Sequence, residues 1–119
     1  MQFSESLKKN RDFQIVYKNG KSYANKYLVM YVFENNKNIN RLGISVSKKI
    51  GNSIVRHKFA RLVRESYRLH ENIFNSGLDI VVIARNSAAN ANYANIESAL
   101  LHLGKQHGII RVFLNYNSF

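Results

Sequence analysis

The alternation of apolar and polar residues divides the chain into segments of helical and of strand character. Residues 7–18, LKKNRDFQIVYK, space their apolar side chains as in a short amphipathic helix, and Asn19-Gly20 is a suitable end for it. Residues 92–104 show the same spacing and predict another helix. The longest predicted helix covers residues 53–73, whose charged and apolar side chains fall on opposite sides.

Three segments predict strands. Residues 27–33, YLVMYVF, are apolar on both alternating faces, as in a well-covered strand. Residues 42–47, LGISVS, alternate apolar with small residues, which predicts one buried and one lightly furnished face. The polar loop at 34–40 between these strands favours their pairing as a hairpin. After a break at 75–77, residues 78–84, LDIVVIA, give the clearest buried strand. This order indicates an α+β fold in which helices cover one sheet.

The chain length suits one domain over residues 1–119. The tail at about 108–119, GIIRVFLNYNSF, is expected either to add a short edge strand or to pack on the surface. Cysteine is absent, which excludes disulfides, thiolate zinc sites and thiol nucleophiles and agrees with a reducing cytoplasm. The first residues lack the apolar core of a secretory signal, and no apolar run approaches the roughly 18 to 20 residues that cross a bilayer. We therefore predict a cytoplasmic protein.

The balance of charge points to a polyanionic partner. Lysine and arginine number 18 against 7 acidic residues, which gives a net charge of +11 and a pI near 10.1. Repulsion on this scale destabilises a compact chain, and a polyanion relieves it. Nucleic acid is the first candidate for that partner, and an anionic membrane surface is the second.

Cationic side chains are concentrated on one side of the predicted long helix. Each residue turns the helix by about 100°, and positions around the axis are measured here from Arg56. Four of the cationic side chains lie between about 80° and 140°, and Lys58 lies beyond them near 200°. The four are Arg64, His57, Arg68 and Arg61. The opposite side carries Val55, Phe59, Leu62, Val63, Leu69 and Ile73. Glu65 is the one nearby acid, and we expect it to offset Arg61.

This pattern favours phosphate binding over an ordinary solvated face. Exposed helices usually mix signs, because each i,i+4 ion pair contributes about 0.2 to 0.5 kcal/mol. Residues 41–68 instead hold eight lysines or arginines and one acid. Guanidinium groups bind phosphate through two hydrogen bonds and stack on bases. A membrane-surface helix would use more lysine and would need an exposed apolar face, which the core requires here.

The turn before this helix adds further groups for anion binding. In SKKIGNS, at 47–53, Lys48 and Lys49 lie beside the predicted helix start, where free amides attract anions. Gly51 is expected to allow an unusual backbone conformation, and Asn52 or Ser53 can cap the helix.

Three segments in this order resemble the protein subunit of bacterial ribonuclease P. They are LKKNRDFQIVYKNGKSYANKYLVMYV at 7–32, GISVSKKIGNSIVRHKFARLVRE at 43–65 and GLDIVVIAR at 77–85. The family helix usually reads Arg-Asn-Arg, one apolar residue, then Lys-Arg. Here it reads Arg56-His57-Lys58, Phe59, then Ala60-Arg61, so Lys58 keeps the charge without the guanidinium fork and Ala60 lacks a cation.

The resemblance implies a single-domain α-β-β-β-α-β-α sandwich with one mixed sheet covered by helices. It also implies a left-handed crossover between the strand before the basic helix and the strand after it. A domain of a small-subunit ribosomal protein shares this fold. Helix and strand physics alone would predict a right-handed crossover.

The resemblance also implies a division of labour between protein and RNA. The RNA subunit, with magnesium, removes the 5′ leader of precursor tRNA, and the protein carries neither catalytic residues nor a predicted cofactor. The residues implied to bind the RNA subunit are Lys48, Lys49, Asn52, Arg56, His57, Lys58, Arg61, Arg64 and Arg68. The residues implied to bind the single-stranded leader are Phe13, Tyr17 and Tyr31, whose rings can stack on unpaired bases or simply fill the core.

The residues themselves argue against catalysis by the protein. A two-metal nuclease needs several converging carboxylates, whereas the seven acids here are spread thinly. A metal-free ribonuclease needs paired histidines, and His57, His70, His102 and His107 fall on separate segments or helix faces. An architectural RNA binder, such as a small ribosomal protein, has the same composition and stays the alternative from another class.

Overall fold

A computed structural model describes residues 4–111 of the chain. Its strands are β1 (Ser4–Ser6), β2 (Lys21–Ala24), β3 (Leu28–Glu34), β4 (Asn40–Ser45) and β5 (Leu78–Ala84). Its helices are α1 (Asn10–Asn19), α2 (Ser53–His70) and α3 (Tyr93–His107), with short 3₁₀ turns at Glu71–Ile73 and Asn86–Asn90. The strands form one mixed sheet in the order β1-β4-β5-β3-β2. The predicted α+β class, with helices on one sheet, is confirmed.

The predicted hairpin between the strands at residues 27–33 and 42–47 is wrong. β5 lies between β3 and β4, antiparallel to β3 and parallel to β4. The physical reason is that β5 is apolar on both faces, and its residues 78–82 are all buried. Such a strand gains most burial at the centre of a sheet.

The limits of some elements also differ from those predicted. α1 begins at Asn10, since Leu7 is still extended and its amide donates to the Leu42 carbonyl at 2.8 Å. α2 ends as an α-helix at His70, and α3 continues to His107. The apolar pattern did not predict β1 or β2, because both are short edge strands with mostly exposed residues.

The two faces of the sheet are covered by different helices. Alternate residues of the central strands, including Met30, Ile80 and Val82, pack under α2 and α3 in the main core. On the other face Val81 forms a smaller cluster with Leu7 and with Val16 of α1. α1 covers only part of that face, so partly buried aromatic residues border it.

The described part of the predicted tail completes the main core. α3 ends at His107 and is followed by Gly108, whose φ of 70° is the left-handed conformation that glycine adopts without strain. Ile109 and Ile110 are then buried, and Ile110 forms a single β-bridge with Phe74. Residues 112–119 of the predicted tail lie outside the described residues. Between residues 4 and 111, no helix is both long enough and apolar enough to span a bilayer.

Candidate nucleic-acid interface

The apolar residues of α2 fix the direction in which its cations face. Phe59, Val63 and Tyr67 are buried against the sheet and α3. The side chains about a quarter turn or more away are exposed to solvent. We call these residues the basic ridge: His57, Lys58, Arg61, Arg64 and Arg68. The outward position predicted for them is therefore what the structure has.

Three arginines of the basic ridge converge on one concave surface. Arg61, Arg64 and Arg68 line a groove of about 340 Å³ together with Glu65 and with Ser6 of β1. Within the described residues, neither Arg61 nor Arg64 forms an ion pair. Two free guanidinium groups beside one groove can bind phosphate oxygens without first breaking a bond inside the protein.

Glu65 pairs with Arg68 and not with Arg61, contrary to expectation. An Arg68 NH2 nitrogen lies 2.6 Å from a Glu65 carboxylate oxygen, and both side chains are about half exposed. Hydrogen bonding from Arg68 lowers the pKa of Glu65, so the carboxylate stays ionised. Arg61 adds only a longer-range attraction. Arg68 is thus less available for a phosphate than its neighbours.

Arg56 and Leu69 are exceptions to the division of α2 into an exposed cationic side and a buried apolar side. Arg56 is half-buried, and its Nε atom is buried without a hydrogen-bond partner among the described residues. It lies within about 20° of the directions of Val63 and Tyr67, which are buried. Leu69 is 52% exposed, because it lies at the margin of the apolar side, about 20° from Lys58.

The turn before α2 is shaped by Asn52 and by close packing at Gly51. The Asn52 side-chain oxygen accepts a hydrogen bond from the Val55 amide at 3.0 Å, so Asn52 is the cap. Gly51 was expected to allow an unusual backbone conformation, but it does not have a positive φ. A Cβ atom there would lie 2.9 Å from the Val55 Cβ, so the turn needs glycine for space. Lys48 and Lys49 are exposed beside it.

Arg41 belongs to the fold and not to the cationic surface. Its Nε and NH2 groups donate to the two carboxylate oxygens of Asp79 at 2.8 and 2.6 Å. A second acid, Asp12 of α1, lies 3.3 Å from its NH1 group. Of the eight cations counted between 41 and 68, this one is therefore neutralised inside the protein.

The three aromatic residues predicted to meet unpaired bases lie together beside α1. Phe13 and Tyr17 are one turn apart on α1, with ring centroids 6.2 Å apart. Tyr31 of β3 meets Tyr17 edge to face at 5.1 Å. All three are partly exposed and also contact the smaller core cluster. They therefore support the core and border solvent at once.

A groove lies beside these rings because β4 carries small residues on this face. A Cβ atom at Gly43 would lie 2.8 Å from the Phe13 ring, so glycine lets the ring rest on the strand. Beyond it, a groove of about 350 Å³ is lined by Lys8, Asn10, Phe13, Tyr17, Ile44 and Ser45. We call it the aromatic groove. Tyr31 supports Tyr17 and does not line the groove. Sequence reasoning missed Lys8, which lies two residues before α1, and Asn10, at which α1 begins.

Three of the four histidines have polar contacts within the protein. His70 lies 2.8 Å from the Ser66 carbonyl, and His102 lies 3.2 Å from the Asn25 amide. His107 donates to the Met30 carbonyl at 2.9 Å, and burial lowers its pKa. Among residues 4–111, no three His, Asp or Glu side chains are grouped so as to hold a metal ion.

Comparison with known proteins identifies the family of this chain. Residues 1–108 match the model of the family described as Ribonuclease P. The chain belongs to the ribonuclease P protein family. It is 65% identical to the ribonuclease P protein component of Lachnoclostridium phytofermentans over 107 residues, which cover 90% of this chain and 92% of that relative. The corresponding protein of Clostridium botulinum strain 657 is 55% identical over 87% of this chain and 94% of its own length.

Solved structures of ribonuclease P proteins share the fold. The Staphylococcus aureus RNase P protein matches with a TM-score of 0.84 and 39% identity, over 91% of this chain and 99% of that one. The Thermotoga maritima protein matches with a TM-score of 0.79 and 36% identity, over 86% and 96%. The resemblance noted at residues 43–65 is confirmed. As a ribonuclease P protein, the chain is a subunit of an endoribonuclease complex that processes the 5′ end of tRNA.

Proposed function

We propose that the chain, acting as one RNA-binding domain in the cytoplasm, contacts two parts of the ribonuclease P reaction. The basic ridge and the Lys48–Asn52 turn bind the RNA subunit. Arg56 also binds it, through the exposed part of its half-buried side chain. The aromatic groove, with Tyr31 behind it, binds the single-stranded 5′ leader of precursor tRNA. The RNA subunit performs the hydrolysis with magnesium, and the protein supplies binding and orientation.

The observation that carries this proposal is the pair of unneutralised arginines, Arg61 and Arg64, beside one groove. Affinity for RNA comes largely from cations that replace the counterions of phosphate groups. The guanidinium fork of arginine also matches the geometry of phosphate oxygens. A solvated face without a partner would gain from more ion pairs like that of Glu65 and Arg68.

The basic ridge and the aromatic groove both lie near β1, so one complex of the RNA subunit and precursor tRNA can contact both. Ser6 lines the arginine groove and Lys8 lines the aromatic groove, so both border the β1 side of the sheet. RNA bound to the basic ridge and a leader bound in the aromatic groove would then be neighbours. This arrangement supports a protein that holds the leader against the RNA subunit.

The contacts of four acidic side chains support the proposal that the RNA, and not the protein, holds the catalytic magnesium. Asp12 and Asp79 both bind Arg41, and Glu65 binds Arg68. Glu97 accepts a hydrogen bond from the Tyr93 hydroxyl at 3.0 Å. These carboxylates are committed to protein contacts, whereas catalytic magnesium needs carboxylates that converge on one site.

A reconstituted reaction at low magnesium tests the proposed function. Precursor tRNA is mixed with ribonuclease P RNA, with and without the protein, and the released leader is measured. We expect cleavage well above that of the RNA alone, because the protein screens phosphate repulsion and holds the leader. Equal cleavage with and without protein, together with binding to ribosomal RNA fragments, would instead favour an architectural RNA binder.

Replacing Tyr17 with alanine should weaken binding of precursor tRNA and leave binding of mature tRNA unchanged. One lost base–ring stack is worth about 1 to 3 kcal/mol. Equilibrium binding of both RNAs to the reconstituted holoenzyme measures the difference. Tyr17→Phe keeps the ring and should bind like the wild type. Equal losses for both RNAs would indicate damaged folding, which thermal melts of the free protein would reveal.

A further inference from the structure

A third concave surface lies between the β2–β3 turn and α3, on the side of the sheet opposite α1. It encloses about 300 Å³, which is at the lower end of the range for small-ligand sites. Its walls are two alanines of α3 and the residues Asn25, Lys26, Tyr27, Asn95, Ser98 and His102. No acidic residue lines it, and it shares no residue with the basic ridge or the aromatic groove. We call it the α3 pocket.

The α3 pocket combines an aromatic ring with a free cation. The Lys26 ammonium lies 5.2 Å from the centre of the Tyr27 ring. The backbone of Tyr27 is held on both sides, since its amide donates to Asn25 at 3.2 Å and its carbonyl accepts from the Arg85 amide at 2.9 Å. Lys26 forms no ion pair within the described residues. A fixed ring beside an unpaired ammonium is suited to a nucleobase and its phosphate.

Two of the side chains that line the α3 pocket, His102 and Asn95, have hydrogen-bond donors left for a ligand. Asn25 donates to the Ala99 carbonyl at 3.0 Å and lies 3.2 Å from Nδ1 of His102. Nδ1 therefore accepts, and the proton of neutral His102 sits on Nε2. The Asn95 oxygen accepts from the Asn92 amide at 3.1 Å, which leaves its NH₂ group as a donor. Nucleobases present carbonyl and ring-nitrogen acceptors to such donors.

The sheet register places the turn of the α3 pocket and one end of the aromatic groove at the same end of the central strands. Ser45, which lines that groove, pairs with Ile83 of β5, and the next residue of β5, Ala84, pairs with Leu28. The pocket turn ends at Leu28, so Ser45 and Leu28 lie two strand spacings, about 10 Å, apart within the sheet, while the two sites open on its opposite faces. Exposed Arg85 follows β5 at this end of the sheet and donates to the Asn25 carbonyl at 2.8 Å.

We propose that the α3 pocket binds an unpaired nucleotide of the precursor tRNA leader, farther from the cleavage site than the nucleotides in the aromatic groove. The base stacks on Tyr27, and Lys26 binds an adjacent phosphate. This inference rests on the proposed function, because it requires the leader to occupy the aromatic groove first.

A series of precursor tRNAs with leaders of increasing length tests the proposal on the reconstituted holoenzyme. Affinity of the wild type should rise in two steps, the second when the leader reaches the α3 pocket. Lys26→Ala combined with Tyr27→Ala should remove the second step, with a loss of about fivefold or more for long leaders. Short leaders should bind as before. Tyr27→Phe keeps the ring, and Lys37→Ala removes a cation at the opposite end of β3, so both should match the wild type.

A blocking variant separates pocket occupancy from stability, because Tyr27 also packs against the main core. Ser98 is exposed on α3, and Ser98→Phe should fill the pocket without removing a core contact, with the same selective loss for long leaders. A photoreactive 4-thiouridine in the distal leader should crosslink to the peptide that contains Lys26 and Tyr27. A crosslink confined to other segments, or equal losses for short and long leaders, would overturn the proposal.

The same series distinguishes this inference from the proposed function. Wild-type affinity that does not depend on any leader nucleotide would refute leader binding as a whole. Affinity that rises once and then stays constant with leader length would refute only the α3 pocket. A loss of affinity for the RNA subunit alone in the Lys26 and Tyr27 variant would assign the pocket to that RNA and would also overturn the inference.

Discussion

Replacing Arg61 and Arg64 together with alanine should lower the affinity for the RNA subunit by about 100-fold. A hydrogen bond to a charged group contributes about 1.5 kcal/mol or more, or roughly tenfold per arginine. The salt dependence should also flatten, with a slope smaller by about 1.4 to 1.8 for two lost phosphate contacts. Binding titrations at several salt concentrations measure both quantities. The fold should not suffer, since neither side chain has an ion pair among the described residues.

A charge-matched variant shows whether the effect depends on position. Lys37 and Lys105 are exposed and lie outside α2, so their double alanine variant has the same net charge. It should keep most of the affinity. Arg68→Ala should cost less than Arg61→Ala, because Arg68 must first give up its contact with Glu65. If the Lys37 and Lys105 variant lost as much as the arginine variant, net charge and not the basic ridge would account for binding.

Elements with a complete local pattern could be predicted from the sequence. α2 shows helical spacing over five turns and a cap at Asn52, and β5 is apolar at every position except Asp79 and is bounded by Gly77 and Arg85. The partner of each strand could not be predicted in the same way. The pattern of apolar residues shows which faces of a strand are buried, but it does not show which other strand lies beside it. β3 and β4 follow one another along the chain and are joined by a polar loop, yet they are not neighbours in the sheet. β5, which follows 33 residues after β4 ends, took the place between them.

In the candidate site, too, features that depend on one helix could be predicted from the sequence, whereas features that depend on distant residues could not. Helical periodicity predicted that Arg61, Arg64 and Arg68 face solvent, because their direction depends only on the helix. The state of Arg41 depends on Asp79, which is 38 residues away in the sequence. The partial burial of Arg56, by contrast, follows from its direction on the helix, which lies within about 20° of buried Val63 and Tyr67. The leader-binding role of Phe13, Tyr17 and Tyr31 was predicted from the family resemblance. The spacing of these residues is equally compatible with side chains that only fill the core.

Replacing Asp79 with alanine should destabilise the protein by about 3 kcal/mol, a large part of the 5 to 15 kcal/mol typical of one domain. Asp79 is 1% exposed and accepts three hydrogen bonds, two from Arg41 and one from Asn35 at 2.8 Å. The hydrogen bonds to Asp79 raise the pKa of Arg41. Arginine is protonated at neutral pH even without them, so its charge would remain with its main partner gone. Urea unfolding measures the loss. Asp12→Ala removes the more exposed partner and should cost less than about 1 kcal/mol.

A double-mutant cycle tests whether the cost comes from the stranded charge. If it does, replacing both Arg41 and Asp79 with apolar residues of similar size should recover most of the stability that the single variant loses. A double variant as unstable as Asp79→Ala would instead point to the hydrogen bond from Asn35. Asp12 of α1 forms an ion pair with Arg41, so removing Arg41 also removes a contact that holds α1 beside the aromatic groove. Loosening this contact should weaken binding of the leader before it affects binding of the RNA subunit, since α1 carries Phe13 and Tyr17 while the basic ridge lies on α2.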